Sequence, residues 1–310
     1  MNAEIHGAMG ANGLTMRRQF RRLGVATALL AVCFGWPLLK LFSFAWHSQL
    51  FSYILLVPFI SGYLIWSMRK TLNFEDIRPC WPGAALGLAA GGALIAGYWL
   101  ARQGGWNPEA QDYLTLMSLA LLCCFWGVCL AVMGSKLLGQ ILFPLAFLAF
   151  AVPMPTSWLD HIDTFFQYTS AAAAEGFCKV AREPVWRDGL DLQLTGIPLR
   201  VAPECSGIHS TMVLVMTSFL AGYLFLRRGW TRSVLVLAMI PLAILRNGFR
   251  IFVIGWLCVH ISPEMINSPI HRRGGPIFFA LSLIPFFLLL VFLRKRESNA
   301  GKGPKILPEN

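Results

Sequence analysis

The sequence predicts an all-α polytopic membrane protein: about eight transmembrane helices, with a small extracytoplasmic amphipathic helix and a β-hairpin inserted before the sixth span. Three observations lead there. Over 310 residues the chain is 56% hydrophobic and 13% charged, about half the charged fraction of an ordinary soluble domain. The apolar residues are gathered into stretches long enough to cross a bilayer. The basic residues stand in clusters beside those stretches, as topology determinants do. The net charge of +11 therefore does not point to nucleic acid, and no basic stretch has the interleaved aromatics of a nucleic-acid platform.

Residues 1–22 read as a cytoplasmic tail ending in Arg17, Arg18, Arg21 and Arg22. The apolar segment after it is too long for a signal-peptide core and reads as a retained first span. Spanning stretches fall at 23–46, 49–68, 81–101, 113–134, 137–154, 207–226, 233–258 and 276–293. The first five form an N-terminal membrane region, 23–154, and the last three a C-terminal one, 207–293, followed by a basic tail, 294–310. In the third span Gly83, Gly87 and Gly91 recur every fourth residue, a small-residue stripe that lets another helix come close. Cys33, Cys123, Cys124 and Cys129 lie in apolar runs and read as small buried hydrophobes.

Direction follows from Lys and Arg. Arg69, Lys70, Arg78, Lys136, Arg227, Arg228, Arg232 and Arg294 to Arg296 all fall on one side if both termini are cytoplasmic. The other side then holds the 102–112 loop, the long segment 155–206 and the 259–275 loop. Within 155–206, Leu159, Ile162, Phe165, Phe166, Ala173, Phe177 and Val180 fall at helical spacing and predict an amphipathic surface helix. Asp188-Gly189 then separates Val185-Trp186-Arg187 from the alternating Leu190, Leu192 and Leu194, a hairpin signal. An extended run from Ile197 to Val201 completes a short sheet that delivers the chain to Glu204-Cys205-Ser206-Gly207 at the start of the sixth span.

Three residues on that outer side can carry chemistry. Cys205 sits at a helix mouth, where unpaired backbone N–H groups and the helix dipole favour a thiolate. Ser206 and Gly207 beside it permit a tight turn and supply donors. Position alone suits a half-buried interfacial cysteine equally. Arg250 lies inside the seventh span, in Asn247-Gly248-Phe249-Arg250-Ile251, roughly two turns from the outer end, with Arg246 one turn deeper on the same face. An intramembrane arginine is costly and marks either a functional cavity or a helix-locking ion pair. His271, in Ile270-His271-Arg272-Arg273, precedes the last span and can exchange protons near neutrality. His209 competes with it, one turn after Cys205, and His260, His161 and His47 are further outer-side histidines. Together a thiol, a guanidinium and an imidazole suit acyl transfer through a thioester, without metal or cofactor.

At these residues the chain resembles the exosortase/archaeosortase family of integral-membrane cysteine transpeptidases. The matching motifs are Glu204-Cys205-Ser206-Gly207-Ile208, then Asn247-Gly248-Phe249-Arg250-Ile251, then His271 with Gly275 four residues on. The resemblance is specific over about residues 185–290. It implies Cys205, Arg250 and His271 as the catalytic set, with Glu204, Ser206, Gly207, Asn247, Arg246 and His209 supporting. It further implies secreted protein substrates whose C-terminal sorting signal is a short motif, typically Pro-Glu-Pro in bacterial exosortases, followed by a membrane helix and a basic cluster. The product would pass to a membrane lipid or other envelope acceptor. Histidine in the third position favours the bacterial branch and hence the bacterial inner membrane, with the site facing the periplasm. The extra soluble C-terminal domain of some exosortases is not expected. A transporter, or an export component for envelope polysaccharide without peptidase chemistry, stands as the alternative, and a Cys178–Cys258 disulfide is left open.

Overall fold

The computed structural model describes residues 18–19, 21–72, 78–195, 197–202, 206–267 and 275–300. The chain divides into two compact units, Met1–Thr156 and Ser157–Asn310.

The first unit begins with α1 (Arg21–Cys33) and α2 (Gly35–His47), which meet at an angle of 77°. Pro37 explains the break, because it has no N–H to return to the Cys33 carbonyl and its ring crowds that turn. A 3₁₀ turn (Ser52–Leu55) leads into α3 (Val57–Met68), whose Pro58 sits in the first turn, where a missing N–H does no harm. Then come α4 (Trp81–Gln103) and α5 (Ala110–Gln140). They are packed backbone to backbone along the glycine stripe. A Cβ on Gly87 would stand 2.8 Å from the Gly127 Cα and 2.9 Å from the Cys123 carbonyl oxygen. A Cβ on Gly91 would overlap the Cys124 sulfur, and one on Gly127 would lie 2.9 Å from the Ala84 oxygen. The stripe thus does what its spacing predicts.

Gly134 breaks α5 with φ 72° and ψ 171°, and its Cα lies so close to the Arg78 carbonyl that no side chain fits. Beyond it the chain forms the end of α5, the short α6 (Leu142–Phe147) and a 3₁₀ turn (Leu148–Ala151). The expected fifth span at 137–154 is therefore not one straight helix. Pro144 allows a new start, and Pro153 and Pro155 prevent continuation. Met133, Leu137, Leu138, Ile141 and Leu145 form the core there.

The second unit begins with α7 (Thr156–Val180), the amphipathic helix of the insert. Its buried stripe is Phe166, Ser170, Ala174 and Cys178, with Gln167 and Ala171 beside it. Phe165 and Val180 of the expected apolar set are 49% and 84% exposed, apolar surface that a helix lying on the membrane presents to lipid. Strands β1 (Val185–Asp188), β2 (Asp191–Leu194) and β3 (Ile197–Arg200) form one antiparallel sheet, with Asp188 paired to Asp191 and Leu192 to Leu199. Gly189 turns the hairpin at φ 59°. Glu175 ties α7 to β1, accepting hydrogen bonds from Lys179 Nζ and Arg187 Nε, both at 2.6 Å. Those two cations, Lys179 first, hold its carboxyl below the usual carboxylate range.

Helices α8 (Ile208–Phe225), α9 (Gly229–His260) and α10 (Gly275–Ala300) complete the unit. Leu214, Ala221, Leu235, Met239, Phe286 and Leu290 pack at their centre. Glu297 of α10 fastens the α8–α9 turn by accepting from the Arg227 and Arg228 amides at 2.8 Å each and from the Thr231 hydroxyl. Those amides belong to the open start of α9, which a carboxylate suits by both hydrogen bond and dipole.

Among the described residues five helices are long and apolar enough to cross a membrane, α4, α5, α8, α9 and α10, or up to seven if each of two bent pairs counts as one span. The expected stretches are all helical: five are single long helices, two are bent pairs, and one is short. The segment Ser52–Met68 is apolar but short, and bends interrupt the first and fifth expected spans. Large exposed apolar side chains such as Phe59, Leu86 and Ile277 cover the outside, as lipid contact requires.

Replacing Gly87 by Val should push α4 off α5, since the atoms opposite are backbone and have no rotamer to yield. The expected loss is about 1–3 kcal/mol, read as a lower thermal unfolding midpoint in detergent, while Gly92→Val, with open space around it, leaves the midpoint unchanged.

Candidate functional site

The described part of the expected site is built where α8 starts against the middle of α9. Gly207 precedes α8 in the left-handed conformation, φ 70° and ψ 17°, which a side chain adopts only at a cost. Its Cα is also crowded. A Cβ there would lie 2.9 Å from Arg246 Nη2 and from Asn247 Oδ1. Both requirements select glycine. The Gly207 carbonyl accepts from the Thr211 amide at 3.0 Å, the Ser210 hydroxyl at 3.0 Å and the Thr211 hydroxyl at 2.9 Å. Arg246 Nη2 donates to the same carbonyl at 3.2 Å and lies 3.4 Å from Thr211 Oγ1.

These groups are sheltered. Ser206 and Asn247 are each 1% exposed and Arg246 8%. Arg246 Nη1 is buried with no hydrogen-bond partner among the described residues. Arg250 follows one turn along α9 and is half-buried. Arg246 and Arg250 therefore share one helix face, and the Arg246 guanidinium lies against the start of α8, whose own dipole is positive at that end. The arrangement suits an anion or a developing oxyanion.

On another face of α9 small residues set the helix against its neighbours. A Cβ on Gly248 would stand 2.5 Å from the Ala173 Cβ and 3.0 Å from the Ala174 amide nitrogen of α7. One on Gly255 would stand 2.6 Å from Leu194 Cδ1 of β2. Ile251, between them, is buried with Ala171, Ala174, Leu192 and Leu199.

The structure therefore brings Ser206, Gly207, Arg246 and Asn247 together and places Arg250 one turn away. His209 is exposed on the first turn of α8. Glu204, Cys205 and His271 lie outside the described residues. Among the other histidines, His260 stacks on Trp256 with ring centres 4.5 Å apart and sits 3.2 Å from Glu183 Oε1, while His47 Nδ1 lies 2.8 Å from the Ser43 carbonyl and His161 is exposed. Cys178 and Cys258 are buried and no disulfide joins them. Burial, then the nearby Glu183, pushes the Cys178 thiol up, away from a reactive thiolate. No group of three or more His, Cys, Asp or Glu among the described residues could hold a metal ion.

Sequence reasoning missed Ser210 and Thr211. Their spacing was a usable signal, since hydroxyls three and four residues after a helix start reach back to its first carbonyl. The contact of Gly248 with α7 was not visible, because a single glycine does not name its partner.

A family model described as transmembrane exosortase (Exosortase_EpsH) matches residues 45–288 of the chain. No curated protein and no solved structure matches it.

Gly207→Ala should lower stability by about 1–3 kcal/mol through its strained backbone and its contact with Arg246 and Asn247. Gly207→Asn separates the two causes. Asparagine tolerates the left-handed region but brings the same Cβ, so it should not restore the unfolding midpoint. Full recovery with Asn would leave backbone conformation as the sole requirement.

Proposed function

Because this chain belongs to the transmembrane exosortase family, whose members process sorting signals as transpeptidases, we propose that it is a cysteine transpeptidase acting on secreted proteins at the extracytoplasmic surface of the bacterial inner membrane. The observation that carries the reading is the sheltered start of α8, where Gly207, two residues after Cys205 in the sequence, stands against Arg246 and Asn247, with Arg250 one turn further along α9.

On this reading the Cys205 thiolate adds to the carbonyl of the scissile peptide bond near the sorting motif. Arg250 stabilises the resulting oxyanion. The C–N bond then breaks, the leaving amine takes a proton from His271, and the N-terminal part of the substrate remains as a thioester on the sulfur. An acceptor hydroxyl or amine, losing its proton to His271, attacks the thioester and frees the thiolate. Arg246 and Asn247 are positioning residues that hold the Gly207 turn. Lys and Arg clusters support an orientation with both termini cytoplasmic. That orientation sets the motif of a tail-anchored substrate at the depth of the α8 start, with its basic end on the opposite side.

Cys205→Ala should leave uncleaved precursor in the membrane, with processing reduced by at least about 10³-fold. Arg250→Lys, which keeps the charge but loses the planar fork, should reduce it by about 10²-fold. Mass spectrometry of the substrate's new C-terminus gives the cleaved bond and any attached acceptor. Normal processing by Cys205→Ala would sink the mechanism.

A further inference from the structure

The first unit holds a cavity of about 690 Å³ at the membrane surface beside the 104–109 loop, and its lining is unlike that of a packing defect. Two cations enter it, Lys40 from α2 and Arg102 from the last turn of α4. Five aromatic residues line it with them: Trp36, Phe44, Tyr98, Trp99 and Tyr113. The Lys40 ammonium lies 5.2 Å from the Trp36 ring centre and 5.4 Å from that of Tyr113. Arg102 Nη1 donates to the Tyr98 hydroxyl at 3.2 Å, and its guanidinium is 5.9 Å from the Trp99 ring centre.

These contacts hold the cations without neutralising them. A ring face orients a cation, and a phenol oxygen is a neutral acceptor. No carboxylate is among the lining residues. Asp112, close in sequence, is engaged by the Thr156 amide and hydroxyl at 2.8–3.0 Å. Glu109 is exposed, outside the lining. Lys40 and Arg102, the latter next to last in α4, line the cavity together with Asn107 and Pro108 of the loop expected on the outer side, which puts both near the headgroup region. A lysine inside a span is expensive unless its charge finds water or an anion.

We propose that this cavity binds the phosphate-bearing headgroup of an anionic phospholipid, with Lys40 and Arg102 on the phosphate and the aromatic rings around the glycerol. The same charges would attract a free phosphoester. The helix surfaces beside the cavity decide for a lipid. Trp36, Leu39, Trp99 and Leu100 are 66%, 67%, 55% and 68% exposed on α2 and α4, apolar surface for acyl chains that a soluble anion would not need. This site is independent of the peptide chemistry proposed for α8 and α9.

The test is native mass spectrometry of the full chain, released from nanodiscs containing equal phosphatidylglycerol and phosphatidylcholine. Phosphatidylglycerol should be retained preferentially. Lys40→Gln and Arg102→Gln should each weaken that retention about fivefold, whereas Lys40→Arg and Arg69→Gln, the latter stacked on Trp66 and outside the cavity, should preserve it. Equal retention of the two lipids, or full retention by the Lys40→Gln, Arg102→Gln double variant, would overturn the proposal. Displacement by an equimolar amount of soluble glycerol phosphate would overturn it too, by assigning the cavity to a free phosphoester. Lys40→Arg keeps the outcome interpretable if a neutral variant folds poorly.

Discussion

Much of the second unit is arranged around one residue at the start of α8, Gly207, where α9 meets α8. Its carbonyl lies within reach of four donors, the Thr211 amide, the Ser210 and Thr211 hydroxyls and Arg246 Nη2. A carbonyl has two lone pairs, so these bonds share it and none is at full strength. The arrangement matters less for the energy of one bond than for the geometry it imposes. The guanidinium of α9 is held against the first turn of α8, and only a residue without a side chain fits between them.

The same contact determines the electrostatics. A buried guanidinium needs oxygen acceptors, and Arg246 takes neutral ones. Its described acceptors carry no charge, and a second arginine stands one turn along α9. In a medium of low dielectric such charges act over longer distances than in water. A negative charge appearing at the start of α8 would be strongly favoured. This is the physical content of the proposal that a thiolate and then an oxyanion form there. Glu297 shows the complementary case within the described residues, a carboxylate placed on the open amides at the start of α9.

Features governed by local chemistry were legible in the sequence. Asp188-Gly189 marked the hairpin because Gly189 supplies a positive φ. The spacing of Gly83, Gly87 and Gly91 marked a close helix contact because only backbone can approach at that distance. Helix bends and buried faces were read less well, because they depend on partners. Hydropathy gave spanning lengths but not the bends after Cys33 and between Ala151 and Thr156, so two of the expected spans are bent helix pairs. The spacing marked α7 as amphipathic, but not that Ser170, Ala171 and Ala174 would be buried beside Phe166 and Cys178, nor that Gly248 would meet Ala173 and Ala174. Around Gly207, the sequence singled out Ser206 and Gly207 beside Cys205, Asn247 in its motif and Arg246 by helical spacing, while Ser210 and Thr211 were passed over. The roles of Cys205, Arg250 and His271 are expectations from the sequence and its resemblance.

The two faces of α9 are mechanically coupled, and this limits what loss of function can be taken to mean. Gly248 and Gly255 determine how closely and at what rotation the helix lies on α7 and the sheet. Arg246 and Asn247 immediately precede Gly248, so any displacement of that contact turns them relative to Gly207. A larger residue at Gly248 would therefore separate the guanidinium from the start of α8 without touching either group. Loss of activity on changing a conspicuous residue in Asn247-Gly248-Phe249-Arg250 is thus ambiguous between chemistry and packing. What separates them is substitution that preserves volume and changes only charge or donor geometry. Such changes leave the Gly248 contact in place and act on the polar face alone.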